Sequence, residues 1–138
     1  MPPKHSRDLW SRAGNGMIRG KFVGNRPLIK VAVSGGESIQ TPSVILDTGF
    51  TGDLLVNTEL ARELGLTAQA VTSVEIANNQ VLQLPAAYAH VAMEGTLHAV
   101  EILIAEGFPL AGIGLLTKFG YRAIIDCKTR TIELAIAA

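Results

Sequence analysis

The feature that most constrains this 138-residue chain is the stretch Val44-Ile45-Leu46-Asp47-Thr48-Gly49-Phe50-Thr51-Gly52. An apolar, partly β-branched run ends abruptly in an acid, a hydroxyl and a glycine. The run reads as a buried strand. Its end delivers the Asp47 carboxylate to the mouth of a core, where a charge is costly unless it is shared or solvated. Thr48 can bond nearby backbone, Gly49 leaves only backbone beside the acid, and Gly52 permits a second sharp bend. Asp, Thr and Gly are ordinary turn residues. The segment gains its meaning from the apolar run before it and from a second apolar–glycine segment, Leu110 to Leu116, near the C-terminus.

The rest of the composition suits one β-rich domain. Hydrophobic residues make up 48% and charged residues 17%, and 14 glycines stand against few aromatics, which favours short strands and many turns over a helical bundle. The length suffices for a real core without disulfide staples. Cys127 is the single cysteine, so no internal disulfide can form; it reads as an inert thiol near a turn, compatible with a reducing compartment. No apolar run approaches a membrane span, and the first residues lack the apolar segment of a secretory leader. The expectation is a cytoplasmic protein that does not engage membranes.

Charge is balanced overall but unevenly placed. Residues 1–30 hold seven Lys or Arg and one acid, Asp8. Residues 1–15 lack periodicity and read as a basic, flexible arm, with 16–138 as the folded domain. No aromatic residues interleave with the basic ones as base stacking would require, so nucleic acid is not an expected partner.

Along the chain, Met17 to Ser34 is strand-like, and Gly35-Gly36 turns it back into the strand ending at Asp47. Leu54 to Val56 is a short strand. Asn57 caps a short helix over Thr58 to Leu64, which Gly65 stops. Val71 to Leu84 reads as a hairpin tipped by Asn78 and Asn79, and Tyr88 to Ile104 as another about Glu94-Gly95. His90 and His98 fall nearly opposite one another there, yet no third ligand accompanies them, so no metal site is expected. Leu115 to Phe119 is a helical turn stopped by Gly120, and a final hairpin turns near Lys128. This is the pattern of an antiparallel β-barrel or sandwich with at most two short helices.

Leu46-Asp47-Thr48-Gly49-Phe50-Thr51-Gly52, followed by Leu110-Ala111-Gly112-Ile113-Gly114-Leu115-Leu116, resembles the retropepsin-like aspartic proteases, in particular their small bacterial single-domain members. The resemblance covers roughly residues 17–136 and includes the order of parts. It implies an all-β, closed antiparallel barrel and an aspartic endopeptidase that works without cofactor or metal. It also implies a homodimer, since each chain carries one Asp-Thr-Gly loop and the site needs two. Asp47, Thr48 and Gly49 would be the catalytic residues. Phe50, Thr51, Leu110, Ala111 and Gly112, with Ala77, Asn78 and Asn79 at the tip of a flap, would contact a peptide or protein substrate. The final strand, Thr131 to Ala138, would interleave with its counterpart in the dimer.

The sequence departs from the family pattern in three places. A small Ala111 precedes Gly112, where a larger aliphatic is usual. Phe50 is bulkier than its viral counterparts and should narrow the pocket beside the acid pair. The acid and arginine that viral relatives pair with one another are replaced by Thr51 and Ile113, which removes a substrate-backbone anchor. These departures keep open an alternative, a non-catalytic dimeric module of the same fold that binds peptide or protein. Asp53 is the other acid near Asp47 in sequence, but pairing the two within one chain would require the Gly49–Gly52 loop to fold back.

Overall fold

The computed structural model describes residues 17–36, 38–75 and 77–136. The basic arm of residues 1–15 lies outside them. Twelve strands and two short helices follow one another as β1 (Met17–Val23), β2 (Arg26–Lys30), β3 (Ala32–Ser34), β4 (Ile39–Gln40), β5 (Ser43–Leu46), β6 (Leu54–Val56), α1 (Thr58–Glu63), β7 (Ala70–Glu75), β8 (Val81–Met93), β9 (Thr96–Ile104), β10 (Leu110–Ala111), α2 (Ile113–Phe119), β11 (Tyr121–Asp126) and β12 (Thr131–Ile136). The chain is therefore mostly β, as its composition predicts.

The strands form one sheet in the order β11-β12-β1-β2-β5-β10-β6-β9-β8-β3-β4, with β7 attached to β8. The expected barrel is not closed by hydrogen bonds: among the described residues the ladder is an open path ending at β11 and β4. Nor is it wholly antiparallel, because β10 runs parallel to β5 and β6 runs parallel to β9. The strands nevertheless share one core. Ile29, Val33, Val44, Leu54, Val91, Ile102, Leu115, Ile132 and Leu134 all belong to a single buried cluster.

Local chemistry accounts for most elements. In β1 the outward positions carry Arg19 and Lys21 while Ile18 and Phe22 pack on the core. Part of the basic charge near the N-terminus is thus the solvent face of a strand. The Asn57 side chain accepts from the Leu60 N–H at 2.8 Å and caps α1. Ala61 and Leu64 are the buried residues at this helix, with Leu60 packed beside them. Gly120 ends α2 in the left-handed region at φ 69°, a conformation costly for any residue with a Cβ. Asp126 accepts from the Lys128 and Thr129 N–H groups and shapes the β11–β12 turn, which lowers its pKa.

Three expectations change. The strand into Asp47 is interrupted at Thr41-Pro42, so β4 pairs with β3 and β5 pairs with β2. The histidines face opposite sides of the sheet, since His90 pairs with Ala99 and His98 with Val91. His98 packs edge-on against Phe119 at 4.6 Å between ring centroids. The final strand is not a free edge either. β12 lies between β1 and β11, and its Ile132 and Leu134 are fully buried. Among the described residues β11, β4 and β7 each have a free side, and β11 presents the exposed Ile124 and Ile125.

Candidate active site

The site is built where β10 threads between β5 and β6. Leu110 pairs with Ile45 on one side and Leu55 on the other, and Ala111 pairs with Leu46 and Leu54. Two residues of β10 are thus enough to tie both strands that flank the Asp47 loop. The small Ala111 is completely buried at this crossing, where three backbones meet and a larger side chain would need room of its own.

The loop itself is held by a set of backbone bonds. The Asp47 N–H donates to the Ala111 carbonyl at 2.9 Å, and the Phe50 N–H donates back to the Asp47 carbonyl at 3.1 Å. On the facing segment, the N–H groups of Gly112, Ile113 and Gly114 donate to the carbonyls of Asp53, Phe50 and Gly52 at 3.0, 2.9 and 3.0 Å. A Cβ on Gly112 or on Gly52 would stand 2.6 Å from the Phe50 ring, which is why both positions are bare. The two segments fit because Gly112 and Gly114 present only backbone to the Asp47 loop.

At the head of this assembly the Asp47 carboxylate is partly exposed, and its Oδ1 accepts from the Gly49 N–H at 2.9 Å. Thr48, Gly49 and Thr51 are exposed beside it. Leu110 is partly buried, and Gly112 is buried. Asn78 and Asn79 lie farther along the β7–β8 hairpin, exposed in the turn Ala77–Asn79, both with positive φ (66° and 60°). Asn tolerates that region better than most residues, which explains a tight tip without glycine. Phe50 is 7% exposed and turns inward. It joins Val74, Ala86 and Leu103 in a second apolar cluster, bordered by Leu55, Leu84 and Leu110.

Asp53 has a role the sequence did not reveal. It is 6% exposed, and its Oδ2 accepts from Lys118 Nζ and from the Glu101 N–H at 3.0 Å. Glu101 in turn accepts from the Thr72 hydroxyl at 3.0 Å. An ionic tie between the loop and α2 is therefore present, carried by Asp53 and Lys118 instead of positions 51 and 113. Spacing alone offers no signal for a pair 65 residues apart. The pairing also removes Asp53 as a companion for Asp47 within one chain.

Comparison with solved structures finds the same fold. A protease of EIAV, complexed with the inhibitor HBY-793, superposes with a TM-score of 0.57 at 16% identity, covering 74% of this chain and 95% of that one. A retropepsin-like aspartic protease from Rickettsia conorii gives a TM-score of 0.55 at 19% identity, covering 89% and 92%. At these identities the likeness is one of fold, which is retropepsin-like. No curated protein matches the chain. The aspartyl protease family matches residues 29–118, a span that takes in β5, the Asp47 loop, the β7–β8 hairpin, β10 and most of α2. The chain belongs to the aspartyl protease family.

Proposed function

We propose that the protein is an aspartic endopeptidase whose active site forms when two copies bring their Asp47 loops together across a two-fold axis. The observation that carries this reading is the division of labour between two nearby acids. Asp53 is buried and taken by Lys118 and the Glu101 N–H, while Asp47 is partly open and held by the Gly49 N–H of its own loop. Each chain thus offers one available carboxylate on a rigid loop.

Two such carboxylates a few ångströms apart cannot both ionise cheaply, so the pair shares a proton. The ionised member takes a proton from a water between them. The protonated member donates to the peptide carbonyl as that water adds, and the tetrahedral intermediate then collapses with protonation of the leaving amine. Gly49 fixes the carboxylate through one oxygen and leaves the other for this work. The exposed Thr48 would brace the opposite loop. Thr51 and Leu110 would line the substrate channel, with Ala111 and Gly112 beneath them, and the turn Ala77–Asn79 would close over the peptide and exclude water.

The test is Asp47→Asn, which keeps the shape and removes the titrating proton. The variant is expected to fold as the parent does by circular dichroism and to lose peptidase activity by at least about a thousandfold. A variant that cleaves as fast as the parent would overturn the reading.

A further inference from the structure

We propose that Phe50 is a plug that sets specificity. Its ring fills an apolar hollow next to Asp47 that would otherwise accept a substrate side chain, so the enzyme takes peptides with small residues (Gly, Ala, Ser) flanking the scissile bond. The substrate side of this inference rests on the endopeptidase reading; the filled hollow does not.

The Phe50 cluster is separate from the main core and lies between the Asp47 loop and the β7–β8 hairpin. Its other members are aliphatic: Val74, Ala86 and Leu103, with Leu55, Leu84 and Leu110 at the border. Two bare glycines, Gly52 and Gly112, complete the wall around the ring. Without the ring, a hollow the size of a phenyl group would remain, lined by side chains that carry no polar atoms. Such a cavity stays dry and binds apolar rings. Its walls adjoin the catalytic loop through the backbone: the Phe50 N–H bonds to the Asp47 carbonyl, and Leu110, at the border of the cluster, directly precedes the residue that accepts the Asp47 N–H. A substrate side chain next to the cleaved bond therefore meets space that the protein has already filled. Val74, beside the hairpin tip, belongs to the same cluster and Leu84 borders it, so the cluster also links the hairpin to the catalytic loop.

The experiment compares the parent with Phe50→Ala in two assays. Peptides from a library differing only at the residues flanking the cleaved bond report specificity. Benzene reports the hollow directly through a thermal shift. The parent is expected to favour small flanking residues by about tenfold or more over Phe or Leu, and the variant to lose or invert that preference. Benzene at about ten times its dissociation constant should raise the melting temperature of Phe50→Ala by roughly 3–5 °C and leave the parent unchanged. Equal cleavage of Phe- and Ala-flanked peptides by the parent would overturn the proposal, as would no benzene response in the variant. If the parent cleaves no library member, the endopeptidase reading and the substrate preference fail together, and the benzene response still decides whether the ring fills a ligand-sized hollow. Should Phe50→Ala fail to fold, Phe50→Leu leaves a smaller void, and the same shift in the Phe-to-Ala cleavage ratio decides the case.

Discussion

Tyr121, at the junction of α2 and β11, shows how a single side chain can burden a fold. Its ring stacks on Phe119, with centroids 5.9 Å apart, but its hydroxyl is buried without a hydrogen-bond partner among the described residues, as is Oε2 of Glu94. Burial, and then the Glu94 charge, push its pKa from 10.0 up to about 12. The folded state thus holds this proton more tightly than the unfolded chain does. The associated stability is fully present below pH 10 and is lost as pH rises toward 12. Tyr121→Phe is expected to be neutral or mildly stabilising at pH 7, since it removes an unsatisfied polar atom and keeps the stack. It should also flatten the alkaline limb of stability. Denaturant melts at pH 7 and across pH 10 to 12 check both, and a variant clearly weaker than the parent at pH 7 would show that the hydroxyl has a partner. At this scale the sequence was informative about the Asp47 carboxylate, whose bond comes from Gly49 two residues on. It could say that Phe50 was large but not that the ring turns inward, because that depends on Val74 and Leu103, which reach it only through the sheet.

Among the elements, the tie between the Asp47 loop and α2 is the most consequential. Asp53 is buried, while Lys118 is exposed and screened by solvent. Asp53→Ala would orphan the Glu101 N–H and remove the ionic part of the tie, leaving the backbone bonds from Ile113 and Gly114 to the loop. The expected loss is about 1–3 kcal/mol, below that of a fully buried pair because water reaches Lys118. The denaturation midpoint measures it; a value unchanged from the parent would make the tie ornamental. The C-terminal strand offers a second prediction. Because β12 is internal, deleting the last six residues removes Leu134 from the core and leaves β1 and β11 without part of their partner. Such a truncation should unfold the chain rather than merely weaken association, as the loss of native near-ultraviolet dichroism would show. The β7–β8, β8–β9 and β11–β12 hairpins, the Asn57 cap and the Gly120 stop were legible beforehand, since each depends on a few adjacent residues, whereas the β1–β2 hairpin inside the strand-like stretch from Met17 to Ser34 was not. The interior place of β12, the continuity of β8 through Pro85 and the Asp53–Lys118 pair were not, because each is a contact between distant parts of the chain.

At the scale of the whole molecule, one chain of the aspartyl protease family brings a single Asp-Thr-Gly loop, set in a retropepsin-like fold whose β11 edge remains open. If two copies complete the site, activity should show the bell-shaped pH profile of a pair sharing one proton. The more direct measurement is subunit mixing. Parent and Asp47→Asn chains are unfolded together, refolded at equal concentrations and assayed at fixed total protein. A site shared between two chains predicts about a quarter of the activity of the all-parent sample, because both members of a pair must carry the acid. Activity at about half that of the all-parent sample would mean that each chain works alone, and would contradict the shared site.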